Sequence, residues 1–297
     1  MTNTVNGAAV QQPTIKKKSR AGEIWRRFRK NKLAVFGMIL FALILLVAIF
    51  ADAIVNYSVA TTQVAADRLL SPNAEHWFGT DNYGRDLFAR IVHGSRNSLL
   101  VGFGSVAIGV VLGGLLGAVC GYVGGRFDAI MMRVLDSIMC IPSMMMALAI
   151  VAALGSSLVN VLLAMTISNV PWYCRIIRSS VLGVTGQTYI EAARSCGTSD
   201  FQIIMTHVLP NAMGPIIVQA TMGIGGAIIS AAGISFVGMG IQPPAPEWGA
   251  MLNEAKNFMT MYPYMVVFPG LAIGLTALSM NLMGDGLRDA LDPKLKD

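Results

Sequence analysis

The sequence has few charged residues and lacks the motifs of common catalytic sites. Charged side chains make up 13% of its 297 residues, whereas soluble domains carry about 25%. None of the lysines follows a glycine, so the GxxxxGK[ST] loop that holds nucleotide phosphates is missing. The HExxH pattern of metalloproteases and the GxSxG pattern of serine hydrolases are missing too. These absences argue against an ATPase or a membrane enzyme, and no catalytic residue is predicted.

Cysteine and histidine are scarce and scattered. The 4 cysteines form no CxxC pair, and the 3 histidines lie far apart in the sequence. Neither a disulfide framework nor the spacing of zinc ligands is present, so no metal site and no cofactor bound by this chain is predicted. Isolated cysteines in apolar helices are typically small packing residues.

Long uncharged segments dominate the rest of the chain, of which 54% is hydrophobic. A helix of about 20 apolar residues crosses the hydrocarbon core of a bilayer. The uncharged stretch Ser137–Cys174 is too long for one such helix, and it has a turn signal at Gly155–Ser157. The sequence therefore predicts an all-α integral membrane protein with six transmembrane helices, at 33–51, within 97–125, and near 130–154, 157–177, 212–238 and 263–284. No ionisable residue lies at the centre of a predicted span, which argues against a proton-coupled carrier.

The net charge of +6 is concentrated before the first span, because nine of the 22 Lys and Arg residues lie in Lys16–Lys32. This placement is typical of a topology signal rather than of nucleic-acid binding. Counted over all segments, 17 Lys and Arg residues fall inside and five outside, which predicts cytoplasmic N- and C-termini. The run Leu33–Ala51 is longer than the apolar part of a signal peptide, so we expect a retained first helix. Arg85, Arg90 and Arg96 depart from the rule and predict a surface-lying amphipathic helix.

The predicted spans divide the chain into five parts. These are a cytoplasmic basic segment (1–32), the first transmembrane helix (33–51), an extracytoplasmic loop with an amphipathic segment (52–96), a five-helix core (97–284) with a cytoplasmic loop at 186–210, and a cytoplasmic tail (285–297). The loop at 186–210 belongs to the longest predicted cytoplasmic segment after the N-terminus.

Glycines recur every four residues in the second predicted span. This spacing places them on one stripe of a helix, where the lack of side chains lets a second helix approach closely. We therefore predict tight helix packing along Gly109, Gly113, Gly117, Gly121 and Gly125.

The loop at 186–210 begins with the stretch TYIEAARSCG, which predicts a short helix. Gly197 would end this helix in the left-handed conformation, and Glu191 and Arg194 would pair one turn apart. Ala192 and Ala193 expose little side chain, so another surface can approach the backbone closely. From the residues alone, the loop is either a plain connection or a docking surface for a partner.

A second short helix is predicted from DFQIIMTHVL. Asp200 would cap its N-terminus, and Pro210 would break the chain before the fifth span. Its apolar stripe follows the 3.6-residue period at positions 201, 204, 205 and 208.

The stretch EAARSCG followed by HVLP resembles the EAA motif of permease subunits in binding-protein-dependent ABC importers. In that family the motif is E-A-A, three residues, Gly, nine residues and I-x-L-P. The matching residues are Glu191, Ala192, Ala193, Gly197, Leu209 and Pro210. His207 replaces the isoleucine, as in the peptide branch. HWFGTDNYGRDLFARIVHGSRNSL, QPPAPEWGAML and NLMGDGLRDALDPKL also resemble, in order, segments of the C-type permease of the dipeptide, oligopeptide and nickel importers.

The resemblance implies a type I ABC importer permease fold in the bacterial cytoplasmic membrane. Its implied partners are the lipid bilayer, a second homologous permease, two ABC ATPase subunits that carry ATP and Mg, and an extracytoplasmic solute-binding protein. The six matching residues would couple ATP hydrolysis to alternating access of a path for di- or oligopeptides. Candidate residues for docking the binding protein are Trp77, Asp81, Arg85, Asp86, Glu247 and Trp248, each of which is equally typical of a loop anchor.

Two alternatives remain at this stage. The same architecture suits an importer of nickel, a metal chelate or another small solute. A stand-alone secondary carrier or channel would need inverted repeats with interrupted helices, and the sequence shows no such repeats.

Overall fold

The computed structural model describes residues 20–291, and its regular secondary structure is helical, with no β-strand in that range. The predicted all-α class is therefore confirmed. The helices are α1 (Arg20–Phe28), α2 (Lys32–Ile49), α3 (Ala51–Ile54), α4 (Tyr57–Thr61), α5 (Leu87–Val123), α6 (Gly125–Met139), α7 (Ser143–Leu154), α8 (Leu158–Thr185), α9 (Thr188–Ser195), α10 (Asp200–Ile203), α11 (Leu209–Phe236), α12 (Trp248–Ala255) and α13 (Tyr264–Leu291). A 3₁₀ turn (Ala65–Asp67) follows α4, and a π-helical segment (Ile204–Val208) joins α10 to α11. Most of the predicted basic segment and the last residues of the predicted tail lie outside the described residues.

Four helical segments in residues 20–291 are long and apolar enough to cross a membrane: α2, α5, the continuous run Asp200–Phe236, and α13. The pair α6 and α7 would make a fifth span if its two bent parts count as one. Helix α8 has 28 residues, but it is not one of these four segments. Its asparagines, proline and two arginines make it less apolar. The six-span count and the side on which each terminus lies remain predictions.

The third predicted span is broken. Helices α6 and α7 meet at an angle of 79° instead of forming one helix over 130–154. Pro142 lies between them, and a proline removes a helical N–H and clashes with the preceding turn. The charged residues Asp128 and Asp136 of α6 pair with Arg178 and Arg175 of α8, respectively. The bend therefore leaves α6 attached to α8 by ion pairs.

Helix α5 begins at Leu87, ten residues before the uncharged run that starts at Asn97. The first turns carry Arg90 and Arg96, so the predicted surface-lying amphipathic helix is the first part of this long helix instead. Arg96 donates hydrogen bonds to the carbonyl groups of Ala48 (2.6 Å) and Ile49 (2.9 Å) at the end of α2. A cation at a helix C-terminus satisfies free carbonyls and complements the helix dipole.

The glycine stripe of α5 packs against α8. A Cβ atom at Gly113 would lie 2.9 Å from the backbone nitrogen of Cys174, and one at Gly117 would lie 2.4 Å from the Cys174 carbonyl oxygen. The backbones of the two helices are in direct contact there, since only glycine fits. Gly109 faces the ring of Tyr173, and Gly121 faces Val181. Gly125 differs because it starts α6 at φ +62°, with nothing within 4 Å of its added Cβ. Its predicted packing role does not hold.

Helix α13 continues past the predicted end of the sixth span at residue 284. Its residue Gly286 lies so close to Ala34 of α2 and Phe28 of α1 that a Cβ atom there would clash with Ala34. The predicted boundary at 285 therefore falls inside a packed helix, because apolar contacts with α1 and α2 extend it.

Candidate coupling loop and outer surface

The EAA loop (residues 186–210) contains α9, a turn at Gly197, α10 and the π-helical segment. Gly197 has φ +78°, the left-handed conformation that favours glycine. The N–H of Gly197 bonds to the carbonyl of Arg194 (2.9 Å), and the N–H of Thr198 bonds to that of Ala193 (3.2 Å). This pair of bonds is the Schellman arrangement that ends helices. The structure therefore places Gly197 at the helix stop expected for it.

Helix α9 has one buried face and one exposed face. Ile190 is fully buried in the core cluster that joins α5, α7, α8 and α11, and Ala193 packs against that cluster. Glu191 and Ala192 are exposed on the other face. Glu191 and Ala192 of the EAA motif are thus exposed on a helix whose opposite face packs against the core.

The second half of the motif lies within a continuous helix. Leu209 is half-buried and Pro210 is exposed, and both stand in the first turn of α11. Pro210 causes no break because the π-helical turn before it widens the backbone where the proline N–H is missing. The same turn shifts the apolar face, so Ile203 and Val208 are buried while Phe201 and Met205 are exposed. The predicted stripe is therefore wrong at 201 and 205, whereas Ile204 and Val208 pack in the core as expected.

Two local contacts also differ from expectation. Ser199, not Asp200, caps α10, since its side chain accepts a bond from the N–H of Gln202 (3.4 Å). Arg194 does not pair with Glu191, because its Nε donates instead to the Tyr122 hydroxyl of α5 (3.2 Å). This bond raises the pKa of the Arg194 guanidinium above its ordinary value. The Tyr122 hydroxyl donates to Asp200 Oδ1 (2.6 Å).

On the other side of the bundle, most of the residues predicted to dock a binding protein are buried. Asp81, Arg85 and Asp86 have 2%, 0% and 8% of their surface exposed. Glu247 and Trp248 are similarly enclosed. A protein that docks on this surface would not contact these five side chains directly, so a direct docking role does not fit them. The sixth candidate, Trp77, is 65% exposed.

Arg85 belongs to a buried cluster of charges that the sequence did not indicate. Its Nε donates to Asp81 Oδ2 (2.6 Å), and its Nη2 donates to Glu254 Oε2 (2.7 Å). Arg90, the second arginine, donates from Nη2 to the same Glu254 oxygen (2.9 Å). Burying an unpaired ion costs several kcal/mol, so loss of one of these four charges would leave a costly unpaired ion in the protein. The cluster joins the segment before α5 to α12.

Glu247 and Trp248 tie the start of α12 to α5. The Glu247 carboxylate accepts bonds from the N–H groups of Gly249 and Ala250, both at 2.8 Å, and so caps α12. The indole Nε1 of Trp248 donates to the carbonyl of Ile91 (3.0 Å). Asp86 likewise caps α5 by accepting from the N–H of Ala89 (2.7 Å). Glu247, Trp248 and Asp86 therefore anchor loops, which is the second role that the sequence allowed for them.

A cavity of about 360 Å³ lies at the bend between α6 and α7. Both polar and apolar side chains line it, from the bent pair and from α8. Its lining includes Met139, Ser143, Met146, Asn169 and Trp172.

The chain matches known families over most of its length. Residues 109–297 match the family described as the binding-protein-dependent transport system inner membrane component. The chain belongs to this family. In addition, residues 19–72 of this permease match the N-terminal transmembrane domain of oligopeptide transport permease C. The permease resemblance and the inner-membrane location predicted from the sequence are therefore confirmed.

Relatives of the permease carry names from peptide transport. It is 47% identical over 274 residues to the dipeptide transport system permease protein DppC of Alkalihalophilus pseudofirmus, covering 92% of this chain and 90% of that protein. It is also 47% identical over 275 residues to the glutathione transport system permease protein GsiD of Escherichia coli, with the same shares covered. The family is one of membrane permease subunits, which are not the catalytic components.

One solved structure resembles the fold of the permease. A chain from the inward-facing MetNI methionine ABC transporter superposes with a TM-score of 0.57 at 19% identity. The match covers 68% of this permease and 96% of that chain. This likeness supports the predicted importer permease fold.

Proposed function

We propose that this permease forms half of the translocation pathway of an ATP-driven importer of di- or oligopeptides. In this proposal, the EAA loop transmits ATP-driven movements of the ATPase subunits to the membrane helices. The observation that carries it is the two-faced geometry of α9. Ile190 fixes the helix to the bundle, while Glu191 and Ala192 remain exposed where a partner can reach them.

Exposed apolar side chains beside α9 support a protein partner at the same place. Tyr189, Phe201 and Met205 are 43%, 75% and 47% exposed. Aromatic residues and methionine are enriched at protein interfaces. The ATPase subunit would cover these side chains together with Glu191.

The remaining partners follow from the proposed transport cycle. Two ATPase subunits would bind ATP and Mg, because this sequence has no P-loop. A second homologous permease would complete the pathway, and an extracytoplasmic solute-binding protein would deliver the solute. Alternating access then needs two arrangements of the helices, with ATP binding opening the path outward and hydrolysis resetting it inward.

Peptides are the substrate class that the comparisons favour. DppC is named for dipeptides and GsiD for glutathione, which is a tripeptide. The cavity at the α6–α7 bend would form part of the path, because polar side chains such as Ser143 and Asn169 in a membrane segment face protein or water rather than lipid. Its methionines and Trp172 would accept varied peptide side chains.

The two exposed native cysteines supply a test of the docking surface. Cys196 lies beside Gly197 in the EAA loop, and Cys140 lies at the α6–α7 bend, while Cys120 and Cys174 are buried. A thiol-reactive benzophenone would be attached to Cys196 in a Cys140→Ser chain, assembled with its ATPase subunits in nanodiscs and irradiated. The matched control carries the label on Cys140 in a Cys196→Ser chain.

We expect a covalent adduct with the ATPase subunit from the label on Cys196 and none from the label on Cys140. Lack of an ATPase adduct from the Cys196 label in an assembled, transport-active complex would contradict docking at the EAA loop.

A further inference from the structure

The two short helices of the EAA loop share a single polar anchor on α5. Tyr122 lies in the last turn of α5 and is 8% exposed. Its hydroxyl donates to Asp200 Oδ1 of α10 (2.6 Å) and accepts from Arg194 Nε of α9 (3.2 Å). The Arg194 guanidinium carbon also lies 4.7 Å from the centre of the Tyr122 ring. One side chain of the bundle therefore holds a residue on each side of the Gly197 turn.

Each short helix has one apolar contact on the same face as its polar contact. Ile190 stands one turn before Arg194, and Ile203 stands three residues after Asp200. Both isoleucines are fully buried. Residues three or four apart share a helix face, so the apolar and the polar contact of each helix point toward the bundle together.

Helix α9 does not hold its own orientation. It has 8 residues, and isolated helices shorter than about 12 residues are marginal in water. Helix α10, by contrast, is the start of the continuous run Asp200–Phe236. A buried isoleucine supplies stability without direction, because burial of apolar surface is non-directional. Hydrogen bonds to charged groups are directional and about twice as strong as neutral ones. The Tyr122 hydroxyl therefore supplies a directional contact between α9 and the start of the run Asp200–Phe236.

We propose that Tyr122 is the positioning residue of the EAA loop. Its hydroxyl ties Arg194 and Asp200 to the inner end of α5, and so sets the orientation in which α9 presents Glu191 to the ATPase subunit. The proposal rests on the coupling function proposed above for this loop. A displacement of α9 would then be passed to α5, the longest helix of the described chain, through this contact.

Tyr122→Phe tests the proposal, because it removes the hydroxyl and keeps the ring. The complete complex would be reconstituted in proteoliposomes to measure the number of solute molecules imported per ATP hydrolysed. Hydrogen exchange of residues 188–203 would be measured on the same complex. The control is Tyr173→Phe, which removes the hydroxyl of another buried tyrosine, at the α5–α8 contact.

We expect amide exchange in 188–203 to be about tenfold faster in Tyr122→Phe, as for the loss of hydrogen bonds to charged groups. Solute imported per ATP should fall several-fold while the complex stays assembled. Asp200→Asn, which keeps an oxygen for the hydroxyl to donate to, should retain more coupling than Asp200→Ala. If Tyr122→Phe prevents assembly, this aspartate pair supplies the same comparison.

Three results would overturn the positioning role. The first is unchanged exchange in 188–203. The second is faster exchange with an unchanged ratio of solute to ATP, which would make the hydroxyl a structural contact only. The third is equal coupling in Asp200→Asn and Asp200→Ala. A separate variant, Glu191→Lys, tests the coupling function itself. If it leaves uptake unchanged, the proposed function of the loop fails, whereas loss of uptake in Glu191→Lys with wild-type behaviour of Tyr122→Phe would refute only the role of Tyr122.

Discussion

Replacing Gly117 with alanine should force α5 and α8 apart, since the added Cβ would lie 2.4 Å from the carbonyl oxygen of Cys174 and 3.0 Å from the backbone nitrogen of Arg178. Non-bonded heavy atoms prefer separations of about 3.5 Å, so the two helix backbones would have to separate by about 1 Å. Overpacking of this kind costs about 1–3 kcal/mol. Alanine also improves helix propensity by about 1 kcal/mol over glycine, which offsets part of that cost.

A second glycine variant, at a position with open space, separates the cost of overpacking from the gain in helix propensity. Gly226 of α11 has nothing within 4 Å of an added Cβ. Gly226→Ala therefore changes helix propensity alone, and the free energies of unfolding of the two variants should differ by about 1–3 kcal/mol. Because the clash is with backbone atoms of α8, shortening the Cys174 side chain to alanine should not rescue Gly117→Ala.

The assay is equilibrium denaturation of the purified permease in mixed micelles, with both variants and the double variant Gly117→Ala/Cys174→Ala compared with wild type. Equal stability of Gly117→Ala and Gly226→Ala would refute the close approach of the α5 and α8 backbones. Rescue by Cys174→Ala would show that the contact involves side chains instead.

Three further outcomes are expected. Glu254→Gln should lower the free energy of unfolding by about 3 kcal/mol, because Arg85 and Arg90 lose their shared carboxylate in a buried site. The control Glu75→Gln, on the exposed surface, should change the free energy of unfolding little. Equal effects of the two variants in a denaturation assay would contradict the buried cluster. Gly197→Ala should destabilise the EAA loop by about 1–2 kcal/mol because Gly197 has a positive φ, and hydrogen exchange in 188–203 should become faster. Gly186 has φ −81°, so the control Gly186→Ala should leave this exchange unchanged. Identical exchange in the two variants would argue against the left-handed turn. The purified permease without ATPase subunits should hydrolyse no ATP, and hydrolysis that survives removal of contaminating ATPases would contradict the absence of a nucleotide site.

The helix stop at Gly197 in the EAA loop could be predicted from the sequence, but the tertiary contacts of the loop could not. Gly197 has the chemistry of a helix stop, which depends on neighbouring residues alone. Tyr122 gave no signal, because its partners Arg194 and Asp200 lie 72 and 78 residues away. Part of the predicted apolar stripe was displaced because a π-helical turn adds a residue to the helical repeat. The residue types of Ile204–Val208 do not predict such a turn.

Boundaries based on charge failed where charges are paired inside the protein. Arg90 was expected in a surface-lying helix, because it departs from the positive-inside rule. It is buried in α5 because Glu254, 164 residues further along the chain, neutralises it. The same pairing explains why Asp81 and Arg85, two of the residues proposed for docking, stabilise the internal structure instead. The role of such residues can be assigned only when their contacts in the folded protein are known.

The central claim is that ATP-driven movement reaches this permease through the exposed face of α9. Its most direct test is the number of solute molecules imported per ATP hydrolysed in proteoliposomes that contain the complete complex with Glu191→Lys. A reversed charge on this exposed face should abolish uptake and solute-stimulated hydrolysis while the permease remains inserted and folded. Uptake and stimulated hydrolysis equal to those of the wild type would contradict the claim.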